Sequence, residues 1–320
     1  MSANEPGDRI AVPAVQAALS EARATWQAGA NFLTELPSQQ RRLYLGFTPP
    51  GDLTLQILEE TAKGLSVGHR VGLQAAAYPA SFDWRNRSGQ NFITPVRDQG
   101  ACGSCVAFGT TAAVEGTLRV QRVDSTLAVD LSEASLFYCI GASQGRNCST
   151  GWWPQDALTG YQNLGVPDES CFPYTAGDQA CSQCADWAQC VTKITSFHGV
   201  STVADMKTWL SSRGPMSACL TVYDDFFSYT SGVYHHVTGN LAGGHCVCFV
   251  GYDDTQSCWI CKNSWGTGWG DSGFFRIAYG ECGIEGMVHA VDGIVEGPPR
   301  PGCLPGIFRA AVPAPRPRAR

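Results

Sequence analysis

The apolar positions of the chain change their period part-way along. From Ser104 to about Gln121, Val106, Ala113, Val114 and Leu118 suit one buried helix, with Ser104 able to cap its start. Further helices are predicted after Ser132, in SEASLFYCI, and after Pro154, in PQDALTGYQNLG. Past Gly199, Thr202 and Asp205 stand at capping-box spacing ahead of MKTWLSSRG, Asp being a weaker partner there than Glu. Strands then take over in SACLTVY, HCVCFVGYD, CWICKNS and GFFRIAY, with turns at Asp253-Asp254 and Asp271-Ser272-Gly273. A helical half followed by a strand half predicts an α+β fold with a cleft between the two parts.

The first hundred residues read as a separate unit. VQAALSEARATWQAGANFLTELPSQQRRLYLGF predicts one or two short helices, a PPG turn follows at Pro49 to Gly51, and LTLQILEETAKG predicts another helical piece. Gly/Ala-rich VGLQAAAYP links this unit to the rest, and the closing GPPRPGCLPGIFRAAVPAPRPRAR is predicted to be disordered. Cysteine usage draws the same boundary, because all 15 cysteines lie between residues 102 and 303. So many point to an oxidising compartment, and the odd count fits pairs plus one working thiol. The start MSANEPGDRIAVPAVQAALS has neither the basic end nor the apolar run of a signal peptide, and no stretch is long enough to span a membrane. Hydrophobic content of 44%, charged content of 16% and a net charge of -6 exclude a disordered polyelectrolyte and leave no basic field for nucleic acid.

The chemistry gathers around QGACGSCVAFG, residues 99 to 109. A cysteine in the first turn of a helix meets unpaired N–H groups and the positive end of the helix dipole, which favour thiolate, and Cys105 has that placement. A thiol hydrolase also needs a base, a group to orient it, and donors for the oxyanion. His245 in GGHCVCF and Asn263 in CKNSWGTGWG, 140 and 158 residues after Cys105, can supply the first two. Gln99, six residues before Cys105, could reach the oxyanion with its side-chain amide beside the Cys105 N–H.

The sequence resembles the papain family of cysteine peptidases, and within it the cathepsin B group. RDQGACGSCVAFG matches the nucleophile loop, TVYDDFFSYTSGVYHHVTGNLAGGH the block around the histidine, and KNSWGTGWGDSGFFRI the asparagine block. PASFDWR stands where the mature enzymes begin, and TWQAGANF, residues 25 to 32, is similar to the core of a short propeptide. The resemblance implies a papain-like two-lobed fold, with a helical lobe and a β-barrel-like lobe. Residues 1–77 would be an inhibitory propeptide, 78–296 the peptidase domain and 297–320 a Pro/Arg-rich tail. It implies a strongly acidic Cys105 thiol paired with His245, Asn263 orienting the imidazole, Gln99 in the oxyanion hole and Trp265 shielding Asn263 from water. Gly151 would pair with the substrate backbone, with a ring of Trp152-Trp153 bordering the cleft. Glu285 would form the base of the pocket for the second residue before the cleaved bond, where a carboxylate accepts Arg as well as apolar side chains. Cys102 would be bridged to Cys148, and Cys139 has Cys171 or Cys181 as partner. Protein or peptide substrates, a monomer, no cofactor or metal, and an extracellular or lysosome-like compartment complete the expectation.

Two departures qualify it. Val106 follows the nucleophile where the family carries Trp, which removes packing but no proton-transfer group. The adjacent histidines that make cathepsin B remove C-terminal dipeptides are missing, since residues 148–200 contain only His198 and His235-His236 lies in another block, so endopeptidase action is expected. The rivals are a dithiol oxidoreductase at Cys102-x-x-Cys105, a zinc protein built on the C-x-x-C pairs at 102/105, 181/184 and 258/261, and an inactive relative kept for binding. The first two leave His245 and Asn263 unexplained. Asn86-Arg87-Ser88 and Asn147-Cys148-Ser149 are glycosylation sequons, meaningful only in a eukaryotic secretory route.

Overall fold

The computed structural model describes residues 8–71 and 78–295; most of the linker and the Pro/Arg-rich tail lie outside the described residues. In chain order the helices are α1 (Val12–Ala22), α2 (Ser38–Arg41), α3 (Leu55–Val71), α4 (Cys105–Arg122), α5 (Pro154–Asn163) and α6 (Val203–Ser212). The strands are β1 (Gln27–Ala28), β2 (Ser81–Asp83), β3 (Val166–Pro167), β4 (Val191–Thr192), β5 (Phe197–Gly199) and β6 (Met216–Tyr223), then β7 (Tyr229–Ser231), β8 (Val233–Tyr234), β9 (Leu241–Asp253), β10 (Cys258–Lys262), β11 (Phe274–Ala278) and β12 (Val288–Val291). SEASLFYCI forms its helix with a wider, π-type turn over Ser135–Gly141.

Two hydrophobic cores make two lobes. In the helical lobe, Val106, Val114 and Leu118 of α4 pack on Leu136, Phe137 and Tyr161. In the sheet lobe, Leu220 and Val222 of β6 pack with Phe249, Trp259, Phe275 and Ile277. The main sheet runs β5-β12-β6-β9-β10-β11-β8, with β2 added to β9, and does not close on itself, so this lobe is an open mixed layer where a barrel-like one was expected. Its long strands are buried on both faces, which is why they read as near-continuous apolar runs. α4 lies between the cores, and behind the cleft its Glu115 accepts from the Thr94 hydroxyl, which in turn accepts from Lys262 of β10.

Residues 8–71 drape over both lobes. Val15, Leu19 and Trp26 join the sheet-lobe core, β1 pairs antiparallel with β7, and Trp26 donates to the His235 carbonyl. Further on, Phe47 and Leu58 join the helical-lobe core. The segment between them, residues 44–48, crosses from one lobe to the other.

Candidate active site

Cys105 is the first residue of α4, and Ser104 is its N-cap by position but not by bonding. The Ser104 hydroxyl is taken by the Tyr174 hydroxyl at 2.7 Å, so no side chain caps the helix. The end of the helix therefore stays electropositive at the sulfur, which the main-chain N–H of Val106 approaches. Thr202, in contrast, makes its expected cap on α6 by accepting from Asp205 N at 3.1 Å.

His245 sits on β9 beside α4, and the N–H of the next residue, Cys246, also approaches the Cys105 sulfur. Asn263, just past the end of β10, accepts from His245 Nε2 at 2.7 Å and from Ser264 N at 2.8 Å through Oδ1. An amide oxygen can only accept, so this bond leaves the lone pair on Nδ1, a buried atom with no hydrogen-bond partner. The Trp265 ring lies 4.6 Å from the imidazole and is fully buried, closing the pair off from water. Gln99 is held by the Ser264 hydroxyl on Oε1 at 2.6 Å, which fixes which face its Nε2 presents. Sequence reasoning passed over Ser264; its place beside Asn263 was the one available signal.

The N-terminal segment runs directly over these groups. The Tyr44 carbonyl accepts from Gln99 Nε2 at 3.1 Å and from Trp265 Nε1 at 3.2 Å. The Gly46 and Phe47 amides donate to the Gly244 carbonyl at 3.1 and 3.0 Å, and the Gly46 N–H also approaches the Cys105 sulfur. Across the cleft, Trp152 N donates to the Gly46 carbonyl at 2.7 Å and Thr48 N to the Trp152 carbonyl at 3.1 Å. A Cβ on Gly46 would lie 1.9 Å from the Gly103 carbonyl oxygen, so only glycine lets the chain pass this close to the nucleophile. Burial dominates the electrostatics. It pushes the Cys105 thiol up, against the lowering effect of the nearby amides, and pushes His245 down to about 4, against the Asn263 bond. Under this segment both groups are neutral, opposite to the acidic thiol that the resemblance implies.

Residues 78–291 match the papain family cysteine protease profile. The chain is 36% identical over 234 residues to a cathepsin B-like protein, CP3, of Giardia intestinalis, covering 68% of this chain and 76% of that one. A gut-specific cysteine proteinase of Caenorhabditis elegans is 33% identical, covering 67% and 74%. The chain belongs to the papain family. Like its relatives it is a cysteine peptidase, a hydrolase, of the cathepsin B-like kind. Among solved structures it is similar to procathepsin B S9 of Trypanosoma congolense, with a TM-score of 0.69, 25% identity and coverage of 88% and 97%. It is also similar to digestive procathepsin L2 of Tenebrio molitor, with a TM-score of 0.70, 26% identity and coverage of 88% of both chains. Both are proenzymes by name, and here residues 44–48 of the N-terminal segment fill the cleft.

Other anticipated residues fall differently in this papain-family site. Backbone pairing across the cleft is carried by Trp152 and not by Gly151, whose positive φ turns the chain where a Cβ would meet the Gly46 oxygen at 2.2 Å. The Trp152 ring points into the helical lobe, donating to Gln144, and it is Trp153 that faces the cleft, stacked with Phe47 at 6.1 Å between centroids. Glu285 is 1% exposed, and its Oε1 accepts from Trp259 Nε1 at 2.7 Å and Gly280 N at 2.8 Å. With the N-terminal segment docked, its carboxylate lies inside the sheet lobe, with one oxygen held by these two donors. Cys102 is bonded to Cys148, Cys139 takes Cys181, Cys171 takes Cys184 and Cys190 is disulfide-bonded as well. Of the C-x-x-C pairs, 102/105 joins a bridged cysteine to a free one, 181/184 is divided between two bridges, and 258/261 is free at both positions. Among the described residues no group of three His, Cys, Asp or Glu side chains could hold a metal ion.

Proposed function

We propose that the protein is the zymogen of a cathepsin B-like cysteine peptidase that cuts internal peptide bonds through Cys105, His245, Asn263 and Gln99, with residues 1–77 as its removable inhibitor. The observation that supports this most directly is the recognition of peptide backbone by the cleft. The Tyr44 carbonyl rests on the Gln99 amide, and Gly46 and Thr48 pair with Trp152 while Gly46 passes over the Cys105 sulfur. Once the propeptide leaves, water and substrate reach the pair, the burial that keeps it neutral is relieved, and the proton moves from Cys105 to His245.

The thiolate then attacks the scissile carbonyl. The Gln99 amide and the Cys105 N–H receive the developing oxyanion. His245 gives its proton to the departing amine, the carbon–nitrogen bond breaks, and an acyl thioester remains on Cys105. A water deprotonated by His245 attacks the thioester, and the thiolate and imidazolium are restored. Asn263 holds the imidazole in the required tautomer throughout.

Two details refine the reading. Phe47 is 4% exposed between Trp153 and the helical-lobe cluster against which Met287 packs, so an apolar or aromatic substrate side chain suits that pocket. His236 is stacked on Tyr223 at 3.8 Å and bonded to Asp225, which ties it to the sheet lobe and favours endopeptidase action. Relatives named as digestive and gut-specific proteinases favour an extracellular or lysosome-like place of work.

The test is intact mass after mildly acidic incubation with a thiol alkylator, run beside Cys105→Ala. Loss of about the first 77 residues with one label on Cys105 is expected for the wild type only, the size of that loss following from the PASFDWR boundary. A chain that stays whole and unlabelled while ignoring peptide substrates would instead make it an inactive relative. Release of dipeptides from free C-termini as fast as internal cleavage would overturn the endopeptidase assignment.

A further inference from the structure

Six buried free thiols, Cys219, Cys246, Cys248, Cys258, Cys261 and Cys282, take no part in the mechanism above. Among the strand cysteines of this group, two face each other across a ladder. Cys219 of β6 lies directly opposite Cys246 of β9, whereas Cys248 faces Ser217 and Lys262, Cys261 faces Phe249 and Phe275, and Cys258 faces Asp253 and Ala278. The hydrogen-bond pattern defines how close the pair is. Cys219 N donates to the Met287 carbonyl at 3.0 Å, away from β9. The N–H and C=O of a strand residue point to the same side, so Cys219 and Cys246 form a non-hydrogen-bonded pair, the kind with Cα atoms about 4.5 Å apart and side chains closest. That spacing is inside the range a disulfide bridges. Burial, and then the neighbouring Cys246, push the Cys219 thiol well up, so the two thiols act on one another. Gly109, one helical turn past Cys105, makes the room, since a Cβ there would lie 2.8 Å from the Cys246 sulfur.

We propose that Cys219 and Cys246 form a redox-active dithiol that closes reversibly to a cross-strand disulfide and lowers peptidase activity when closed. The coupling runs through the main chain: Cys246 follows His245 directly, and its own N–H approaches the Cys105 sulfur. Drawing the two sulfurs together from non-bonded neighbours to a bond of about 2 Å shifts β9 at residue 246. The imidazole and that amide move away from the nucleophile with it. The oxidant is a small disulfide of the glutathione class. One thiolate attacks it, giving a mixed disulfide and releasing one thiol, and the second thiolate displaces the other. Two electrons and two protons thus pass to the reagent, which leaves as two thiols. Both sulfurs are buried, so exchange waits on local opening of the strand pair and is slow.

The functional half of this proposal rests on the peptidase reading above, and the chemical half does not. In full-length Cys105→Ala protein equilibrated in glutathione buffers, non-reducing peptide mapping should find residues 219 and 246 cross-linked, with a mass loss of about 2 Da that reductant reverses. Alkylation of both thiols at every buffer ratio would overturn the proposal whether or not the enzyme is active. In processed wild type, activity should fall at an oxidised-to-reduced glutathione ratio about tenfold lower than in Cys219→Ala or Cys219→Val, where Cys246 has lost its cross-strand partner. Coincident curves for wild type and both variants would sink the claim of control while leaving the peptidase assignment standing.

Discussion

The two lobes use cysteine in opposite ways. In the helical lobe, long loops between short elements are stapled by Cys102–Cys148, Cys139–Cys181 and Cys171–Cys184, and Cys105 stays free. In the sheet lobe, from Cys219 to Cys282, every cysteine is unpaired and buried. Where a ladder already fixes the backbone, a cross-link would add little stability, and apart from the proposed Cys219–Cys246 pair cysteine serves as a small apolar side chain. Where it does not, closing loops of 13 to 46 residues removes entropy from the unfolded chain. The lesson is that cysteine count alone says nothing about bridges; the surrounding backbone decides.

The sharpest way to probe the contrast is to remove free thiols from each side. Cys105→Ala should lower turnover of a peptide substrate by about ten-thousand-fold or more while far-ultraviolet circular dichroism is unchanged, whereas Cys248→Ala should leave turnover alone. Activity near wild type in the first variant would refute the assignment of the nucleophile. Next in size is the double change Cys102→Ser, Cys148→Ser, which should cost about 2 to 5 kcal/mol in urea unfolding, against about 1 kcal/mol for Cys248→Ala. Equal costs would break the distinction between staple and filler.

The lobes also bring opposite halves of the site, an acid on α4 and a base on β9, and protons should act on their closure. In the docked state burial holds His245 down at about 4 from an ordinary 6.5, and in Cys105→Ala protein, where no thiol can pass its proton to the imidazole, the undocked state should bind the proton more tightly. Docking should then be strongest above about pH 6.5 and weaken by up to roughly tenfold per pH unit on the way down to about pH 4. Propeptide release followed by intrinsic fluorescence in Cys105→Ala protein reads this directly; a flat profile would detach His245 from the docking equilibrium. The smallest effect concerns Glu285→Gln. Preference between Phe and Arg two residues before the cut should change by less than about twofold, while stability falls by about 1 kcal/mol. A large swing in preference would return Glu285 to the cleft.

Much of the fold is legible along the chain where periodicity is long. α4, α5 and α6 and the strands β6, β9, β10 and β11 match their apolar runs because each buries a whole face. The short strands β2, β5 and β12, of three or four residues, carry no period; register against β9, β6 and one another creates them. Cys105, His245, Asn263 and Gln99 are readable as residue types at telling separations, and folding gathers them at one cleft. Trp152 could not be told from Gly151, because one residue of register decides which main chain meets Gly46. The surroundings of Glu285 were hidden for a related reason: CGIEG does not show that Trp259 and Gly280 claim one of its carboxylate oxygens. The pairing of Cys171 with Cys184 depends on how an irregular loop folds back, which no local pattern encodes.

The glycine that carries the propeptide past Cys105 has a further consequence. At Gly46, where there is no side chain, the segment grips the cleft through backbone bonds alone, with the ring of Phe47 buried beside it. Tethered to the chain it inhibits, it works at an effective concentration in the millimolar range, and weak grip is enough. One cut in the linker turns that intramolecular partner into a dilute competitor. Latency is therefore stored less in the strength of the contact at Gly46 than in the covalent continuity behind it, and it is lost once, by dilution, without any need to unmake the fold.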